Sequence, residues 1–404
     1  MACSPNDQQC QAVVGNHLLL KAILRNVDSR GLTKISRVNR EWQSLAQNLI
    51  SKRKRLGHLF YIFHVNGHRR RQEEEVEDCY NTRNDYAGKD FSDLIGYMKT
   101  QSRTLWSKPT FALLFHGNFC PHSQRVLRLL DHTVYRQYLP PQCEALSISS
   151  SVGMIGTPLS QTKSLEVQAE FTPFAGLSYL FLPKSGCEIR IFNNGDKLPE
   201  FYPTTKSHKH LKSIVMFATS SVDTKDRYWA FEEIDNLYEL YEKKIALGGV
   251  VVDDIRHFKL GHTTELTKHR NEMIGLAISG EIVKAASVIF DTEYPPEMEK
   301  KLAAFKNSLD FDTNVSATHE TFGLVFMCSG RGVHVFEKTN EEVGVIQKVF
   351  PNVRLSGVFG HGEYGANYWP NVPQMSEEPA IDDSETKFWH FYTTVLILIR
   401  MPLA

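Results

Sequence analysis

The chain has 404 residues, with 46 Lys+Arg against 46 Asp+Glu, so its formal net charge is zero. With 42% hydrophobic and 23% charged residues it has the composition of a soluble globular protein, long enough for two or three domains and a sizeable core. Neutrality argues against a dedicated nucleic-acid binder or a polybasic membrane protein.

The sum hides a pattern. Residues 1–56 carry 10 basic and 3 acidic side chains, residues 57–108 carry 8 of each, and residues 109–404 carry 28 basic and 35 acidic. A head of net +7 precedes a body of net −7. The cysteines, Cys3, Cys10, Cys79, Cys120, Cys143, Cys187 and Cys328, are odd in number, irregular in spacing and free of CxxC pairs. That pattern predicts reduced thiols in the cytosol or nucleus. Cys120-Pro121-His122 and His257 with His262 lack a second ligand pair, so no metal or other cofactor is expected. Residues 1–15 lack a charged start and an apolar core, so no secretory leader is expected. The run Val395–Ile399 is far shorter than the ~20 residues of a membrane span. The basic clusters Lys52–Arg55 and Arg69–Arg71 are compatible with nuclear import or with solvated helix ends.

In chain order, Leu19, Leu20, Ile23, Leu24 and Val27 recur at helical spacing, with Asn16 as N-cap and Asp28–Gly31 as a turn. A second apolar stripe, Leu32, Ile35, Val38, Trp42, Leu45 and Leu49, predicts a second helix. About 35 residues is little chain to fold alone, so this pair must dock on its own body or on a partner.

Residues 66–90, with Arg69–Arg71 running into Gln72 and Glu73–Glu75, read as an exposed linker. An internal repeat follows. Its first unit has a strand at 110–115, a helix over 122–138 (Val126, Leu129, Leu130, Val134), a strand at 145–150 ending at Gly153 and Gly156, and strands at 177–182 and 188–192. Its second has a strand at 213–218, a helix over 228–246 (Phe231, Ile234, Leu237, Leu240, Tyr241), then Gly248-Gly249 before a strand at 250–252. Strands at 273–279 and 282–290 form a hairpin around Gly280-Glu281. Its third has a strand at 322–327, a turn at Ser329–Gly332, a helix near 340–349, a strand at 353–359 and a closing segment at 388–399. Strand, helix, strand and hairpin in repetition predict an α/β (α+β) body of sheets covered by helices.

The run Ile23-Leu24, Val27, Leu32, Ile35-Ser36, Val38 and Trp42 resembles the F-box motif. Gly15–Leu18 stands where that motif usually opens with Leu-Pro, and Asn39 where Cys or Ser is more usual. The resemblance implies docking on the acidic Skp adaptor of a Skp–cullin–F-box ubiquitin ligase through Leu19, Leu20, Ile23, Leu24, Val27, Leu32, Ile35, Val38 and Trp42. A +7 head would be steered toward an acidic adaptor, while the apolar stripe would supply affinity. The body resembles the FIST family: Phe322–Cys328 with Ser329 and Gly330-Arg331-Gly332 is similar to its strand followed by Cys-x-Gly-Arg-Gly. Gly357–Gly365 is similar to its turn containing Gly-Glu. The two resemblances together span about residues 16 to 400, weakest over 57–205. They imply an F-box module at 15–56, a charged linker and entry strand at 57–108, and FIST-like modules at 109–208 and 209–404. They further imply a non-catalytic adaptor of the cytoplasm and nucleus that brings proteins for ubiquitination, partnering the Skp adaptor and, through it, a cullin. Neither nucleic acid nor membrane is expected as a partner.

Three features carry candidate chemistry. Gly360, Gly362 and Gly365 match GxGxxG, but Pro370 and Pro373 follow where a phosphate-binding helix would have to start, so a tight turn is the better reading. Cys328 ends an apolar strand beside Arg331; with His361 and Glu363 it would form a nucleophilic thiol site, the lesser alternative. Arg331 with the amides of Gly330 and Gly332 suits a carboxylate, so Cys328, Gly330, Arg331, Gly332, His361 and Glu363 are candidate ligand- or substrate-contact residues. A small-ligand-binding sensory protein is the main alternative function. Asp253-Asp254 and Asp382-Asp383 read as solvated loop charge.

Overall fold

The structure, a computed structural model, describes residues 16–25, 27, 29–53, 57–64, 110–118, 143–158, 163–168, 174–182, 186–193, 210–220, 235, 238–239, 241, 243–259, 273–316, 318–372 and 388–403. The linker expected over 66–90, the helix expected over 122–138 and Asp382-Asp383 lie outside these residues.

The head forms three helices where the sequence suggested two: α1 (His17–Arg25), α2 (Ser29–Ile35) and α3 (Arg40–Arg53). Asn16 caps α1 as expected, its Oδ1 accepting the amides of Leu18 and Leu19 at 3.1 Å each. The second stripe breaks at Ser36–Val38, which form a turn. Asn39 restarts the helix: its Oδ1 accepts the Trp42 amide at 2.9 Å. Asn is among the best N-cap residues, which accounts for it at this position. Leu20, Leu24, Leu32, Leu45, Ala46 and Leu49 form the small core of the head.

The strands in chain order are β1 (Gly57–His64), β2 (Phe111–Asn118), β3 (Glu144–Ser150), β4 (Gly153–Gly156), β5 (Leu165–Gln168), β6 (Phe174–Leu182), β7 (Glu188–Asn193), β8 (Leu211–Thr219), β9 (Ala246–Val252), β10 (Asp254–Lys259), β11 (Met273–Ser279) and β12 (Lys284–Phe290). Then come α4 (Pro295–Ser308), β13 (His319–Cys328), α5 (Val333–Phe336), α6 (Glu341–Val349), β14 (Arg354–Gly360), β15 (Glu363–Ala366), β16 (Trp389–His390) and β17 (Thr394–Pro402). The fold is mixed α and β.

Among the described residues the strands make three sheets, ordered β1-β6-β2-β3-β10, β16-β15-β9-β8-β11-β7 and β12-β17-β13-β14-β4-β5. Each sheet centres on one parallel pair, β2 with β3, β8 with β9, or β13 with β14. An antiparallel strand lies beside the first member of each pair, namely β6, β11 or β17. The repeat therefore forms, but with strands exchanged. The strand after each pair leaves for another sheet: β4 pairs with β14, β10 with β3, and β15 with β9. All three sheets consequently draw strands from both sides of residue 208.

Phe115, Phe217 and Phe326 mark the axis of this repetition. Each pairs across its parallel ladder with the residue two before the end of β3, β9 or β14. All three are fully buried and meet edge to face, with ring centroids 5.7 to 6.4 Å apart, a favoured aromatic geometry. One core cluster takes side chains from all three sheets. Along β13, Leu324 and Phe326 face this core, while Val325 and Met327 face Met298, Leu302, Phe305, Val343 and Ile346 of α4 and α6. Period-two alternation thus serves two cores at once. Helices α4 and α6 cover this outer face of the third sheet, and Tyr238, one of the helical residues 235, 238 and 239, packs with Ile214, Met216 and Leu247 of the second.

Three local expectations need correction. Gly248 and Gly249 lie inside β9, not before it. A Cβ on Gly249 would stand 1.9 Å from the Met216 carbonyl oxygen, so close strand approach requires glycine there. The second-unit helix stops earlier than 246: residues 235, 238 and 239 are helical, but Lys243 is left-handed at φ 59° and β9 begins at Ala246. Helix α4 was not anticipated, although Pro295 and Pro296 at its first turn and Met298, Leu302 and Phe305 at helical spacing signal it.

Candidate functional site

The nine candidate docking residues of the head divide by burial. Leu20, Leu24 and Leu32 are inside its core; Val27, Ile35 and Trp42 are half-buried against it. Leu19, Ile23 and Val38 are exposed, as is Leu18. Leu19 and Ile23, four residues apart, share one face of α1. The sequence pattern could not separate these groups, because a short amphipathic helix with apolar residues on adjoining faces can bury either one.

The second candidate site lies at the carboxyl ends of β13 and β14, where parallel strands commonly present functional groups. Cys328 is the last residue of β13, and Gly332 takes φ 66° as the chain turns into α5. Arg331 is 1% exposed and its partner Glu342 is 0% exposed. The Arg331 Nη2 lies 2.6 Å from Glu342 Oε1, and the Gly332 amide donates to Oε2 at 3.3 Å. Thr394 Oγ1 donates to Oε1 at 2.8 Å. Arg331 also donates to the carbonyls of Thr292 at 2.9 Å and Tyr392 at 3.3 Å, and its guanidinium lies over the Phe336 ring. The carboxylate that Arg331 and Gly332 hold is the protein's own, and it closes the turn from within.

The β5 strand braces this turn from a distant part of the chain. Gln168 donates to the Arg331 carbonyl at 3.0 Å and accepts the Val333 amide at 2.7 Å. Glu166 accepts the Val343 amide at 2.6 Å, capping the first turn of α6. Burial first, then the neighbouring Glu342, pushes the Glu166 carboxyl up to about 8. Glu166, Gln168 and Glu342 were missed from the sequence; only the alternation of Leu165, Glu166, Val167 and Gln168 hinted at inward polar groups.

Cys328, His361 and Glu363 do not align as a nucleophilic relay. Glu363 accepts Thr393 Oγ1 at 3.0 Å and the Cys328 thiol. Burial pushes Glu363 up to about 8, despite these hydrogen bonds. Burial, then Glu363, raises the Cys328 thiol and disfavours its thiolate. His361 instead pairs with Asp253 at 3.6 Å, an interaction that raises the imidazole. Burial alone would raise Asp253, but hydrogen bonds from His361 and the Ser151 amide hold its carboxyl below the usual range. Asp253 is thus more than loop charge, while Asp254 pairs with Arg256 at 2.7 Å. Ser151, Asp253 and His361 each follow directly on β3, β9 and β14, so equivalent positions of the repeat meet at one point. Gly360, Gly362 and Gly365 join β14 to β15 through a two-residue turn, and no helix begins there.

Among the described residues, no cluster of three or more His, Cys, Asp or Glu is arranged to hold a metal ion, and no helix is long and apolar enough to cross a membrane. No protein-family model matches the chain. The chain is similar to F-box only protein 22 of Homo sapiens and of Pongo abelii, with 24% identity over 281 residues in each case. Each alignment takes in 65% of this chain and spans 64% of the length of the curated relative.

Proposed function

We propose that the chain is the substrate-recognition subunit of a Skp–cullin–F-box ubiquitin ligase. The similarity to F-box only protein 22 carries this reading, and a small helical head that leaves Leu19, Ile23 and Val38 in solvent supports it. Residues 15–56 form the docking module, through the exposed apolar groups and the half-buried Trp42. The body, residues 109–404, holds a target protein in the cytoplasm or nucleus. The chain performs no chemistry of its own. It acts by proximity, raising the effective concentration of a target lysine near a charged conjugating enzyme. The internal pairing of Arg331 with Glu342, and of His361 with Asp253, favours a structural scaffold over a thiol enzyme at this end of the body.

The test is co-purification of the full chain with the Skp adaptor, comparing the wild type with Ile23→Asp combined with Trp42→Ala. Retention by the wild type and loss by the variant is expected. A wild type that fails to retain the adaptor, or a variant that retains it equally, rejects the reading.

A further inference from the structure

Sheet pairing places two exposed chain segments side by side at the carboxyl end of β13. The last partners of β12 and β17 are Phe290 and Thr394, so residues 291–294 and 391–393 leave the sheet as neighbours. Arg331 ties them together, since its guanidinium binds the carbonyls of both Thr292 and Tyr392. Three aromatic side chains stand out from these segments: Tyr294 is 59% exposed, Phe391 55% and Tyr392 70%. Large aromatic residues usually supply burial, so a group of three in solvent is uncommon and marks an interaction surface.

Tyr392 adds a second, independent observation. Its φ is 57°, a left-handed conformation that costs a bulky residue roughly 1 kcal/mol or more. Its ring lies against Gly330, where a Cβ would come within 2.8 Å. A side chain that is mostly in solvent returns little folding energy for that strain, and glycine would fit the backbone better. Burial within the fold therefore does not offset the backbone cost of this ring.

The surroundings say what kind of partner fits. Asp291 and Glu293 are exposed beside the aromatic group. Asp291 has Lys301 at 3.5 Å, a surface pair of small consequence. The Arg331 charge is buried and matched by Glu342. On the far side of Phe391 lies Gly362, next to the Asp253–His361 pair. The rim thus combines aromatic faces with acidic side chains on a body of net −7. Aromatic faces and carboxylates both attract cations.

We propose that Tyr294, Phe391 and Tyr392, with Asp291 and Glu293, form a docking surface for an Arg- or Lys-bearing segment of another protein. This rests on the reading of the body as the part that holds a target. The partner's cationic groups stack on the aromatic rings, and the flanking carboxylates set its orientation. Binding weakens with added salt, because the charges are exposed.

The probe is a short fluorescein-labelled Gly-Arg-Ser repeat peptide, with a Gly-Glu-Ser repeat as its counterpart, titrated with the full chain by anisotropy. The Arg peptide binds at low salt and the Glu peptide does not. Phe391→Ser, Tyr392→Gly, and Asp291→Lys with Glu293→Lys each weaken binding ~10-fold or more. Val372→Ser, at an exposed apolar residue outside the rim, leaves it unchanged. Tyr392→Gly at the same time keeps or raises the Tm, which separates a binding role from a folding role. Equal binding of both peptides, binding of neither, or binding insensitive to the rim variants overturns the proposal. So does concentration-dependent dimerisation abolished by Phe391→Ser without any effect on peptide binding. A wild type that retains the Skp adaptor but ignores the Arg peptide sinks this surface alone. One that binds the peptide but not the adaptor sinks the ligase reading and leaves the surface standing.

Discussion

Arg331 and Glu342 form an ion pair 2.6 Å apart with both side chains withdrawn from water. The pair joins the end of β13 to the start of α6, and through Thr292 and Tyr392 it also holds the two segments of the aromatic rim. Its hydrogen bonds are nearly all made, which is the condition for a buried pair to be tolerated.

Removing one member strands a charge. Glu342→Gln or Arg331→Met should each cost about 3–5 kcal/mol in urea unfolding. The double variant Arg331→Met with Glu342→Leu should cost less than either single change. If the two singles add in the double variant, the residues do not act as a pair.

The head should separate folding from docking. Leu24 is in its core, whereas Ile23 next to it is exposed. Leu24→Ala should destabilise the head by about 2–5 kcal/mol. Ile23→Asp alone should leave helicity intact by circular dichroism and still lose the Skp adaptor. Loss of helicity in Ile23→Asp would place that residue in the core instead.

Stability should fall as pH rises through the neutral range. Glu363 and Glu166 are each pushed by burial from an ordinary 4.5 up to about 8. The folded state therefore binds protons that the unfolded chain releases, and stability declines between about pH 4.5 and 8. This contribution is fully present below the unfolded value and lost as pH passes the folded one. Glu363→Gln, which keeps the shape without the proton, should make that decline shallower, while buried His116, lowered by burial to about 3, opposes it below about pH 6.5. Tm measured from pH 5 to 8 decides the matter; parallel slopes for wild type and variant would contradict it.

The three phenylalanines at the axis should behave as one cluster. Phe217→Ala should cost about 3–5 kcal/mol. Phe217→Ala combined with Phe326→Ala should deviate from the sum of the singles by about 0.5–3 kcal/mol, because the rings touch. Strict additivity would indicate that the repeats fold around separate cores.

Much of the local structure was legible. Strands such as Met273–Ser279 and Val395–Ile399 announced themselves as apolar runs, because a strand flanked by cores on both faces has no polar side to show. Asn16 was readable as a cap, since its signal lies within three residues of the amides it binds. Cys328, Arg331 and Glu363 were gathered at one end of the third sheet, as their positions at strand ends and turns suggested.

Partner choice was not legible. The pattern of Arg331 and Gly332 asked for a carboxylate, and local spacing could not say that Glu342 would answer it. Still less could it reveal Gln168, whose bond to Arg331 crosses 163 residues of sequence. The strand exchange is of the same kind: β4, β10 and β15 each offer edges chemically like those of their neighbours, and only closure of a common core around Phe115, Phe217 and Phe326 selects the pairing. By itself the sequence determined the periodicities, the caps, the threefold repetition and the split of charge between head and body, because each is written in neighbouring residues. The tertiary structure alone decided which carboxylate Arg331 holds, which apolar side chains of the head stay in water, and which aromatic residues stand out beside β13. Those outcomes depend on which of several equivalent surfaces are buried together, and burial is a property of the whole chain.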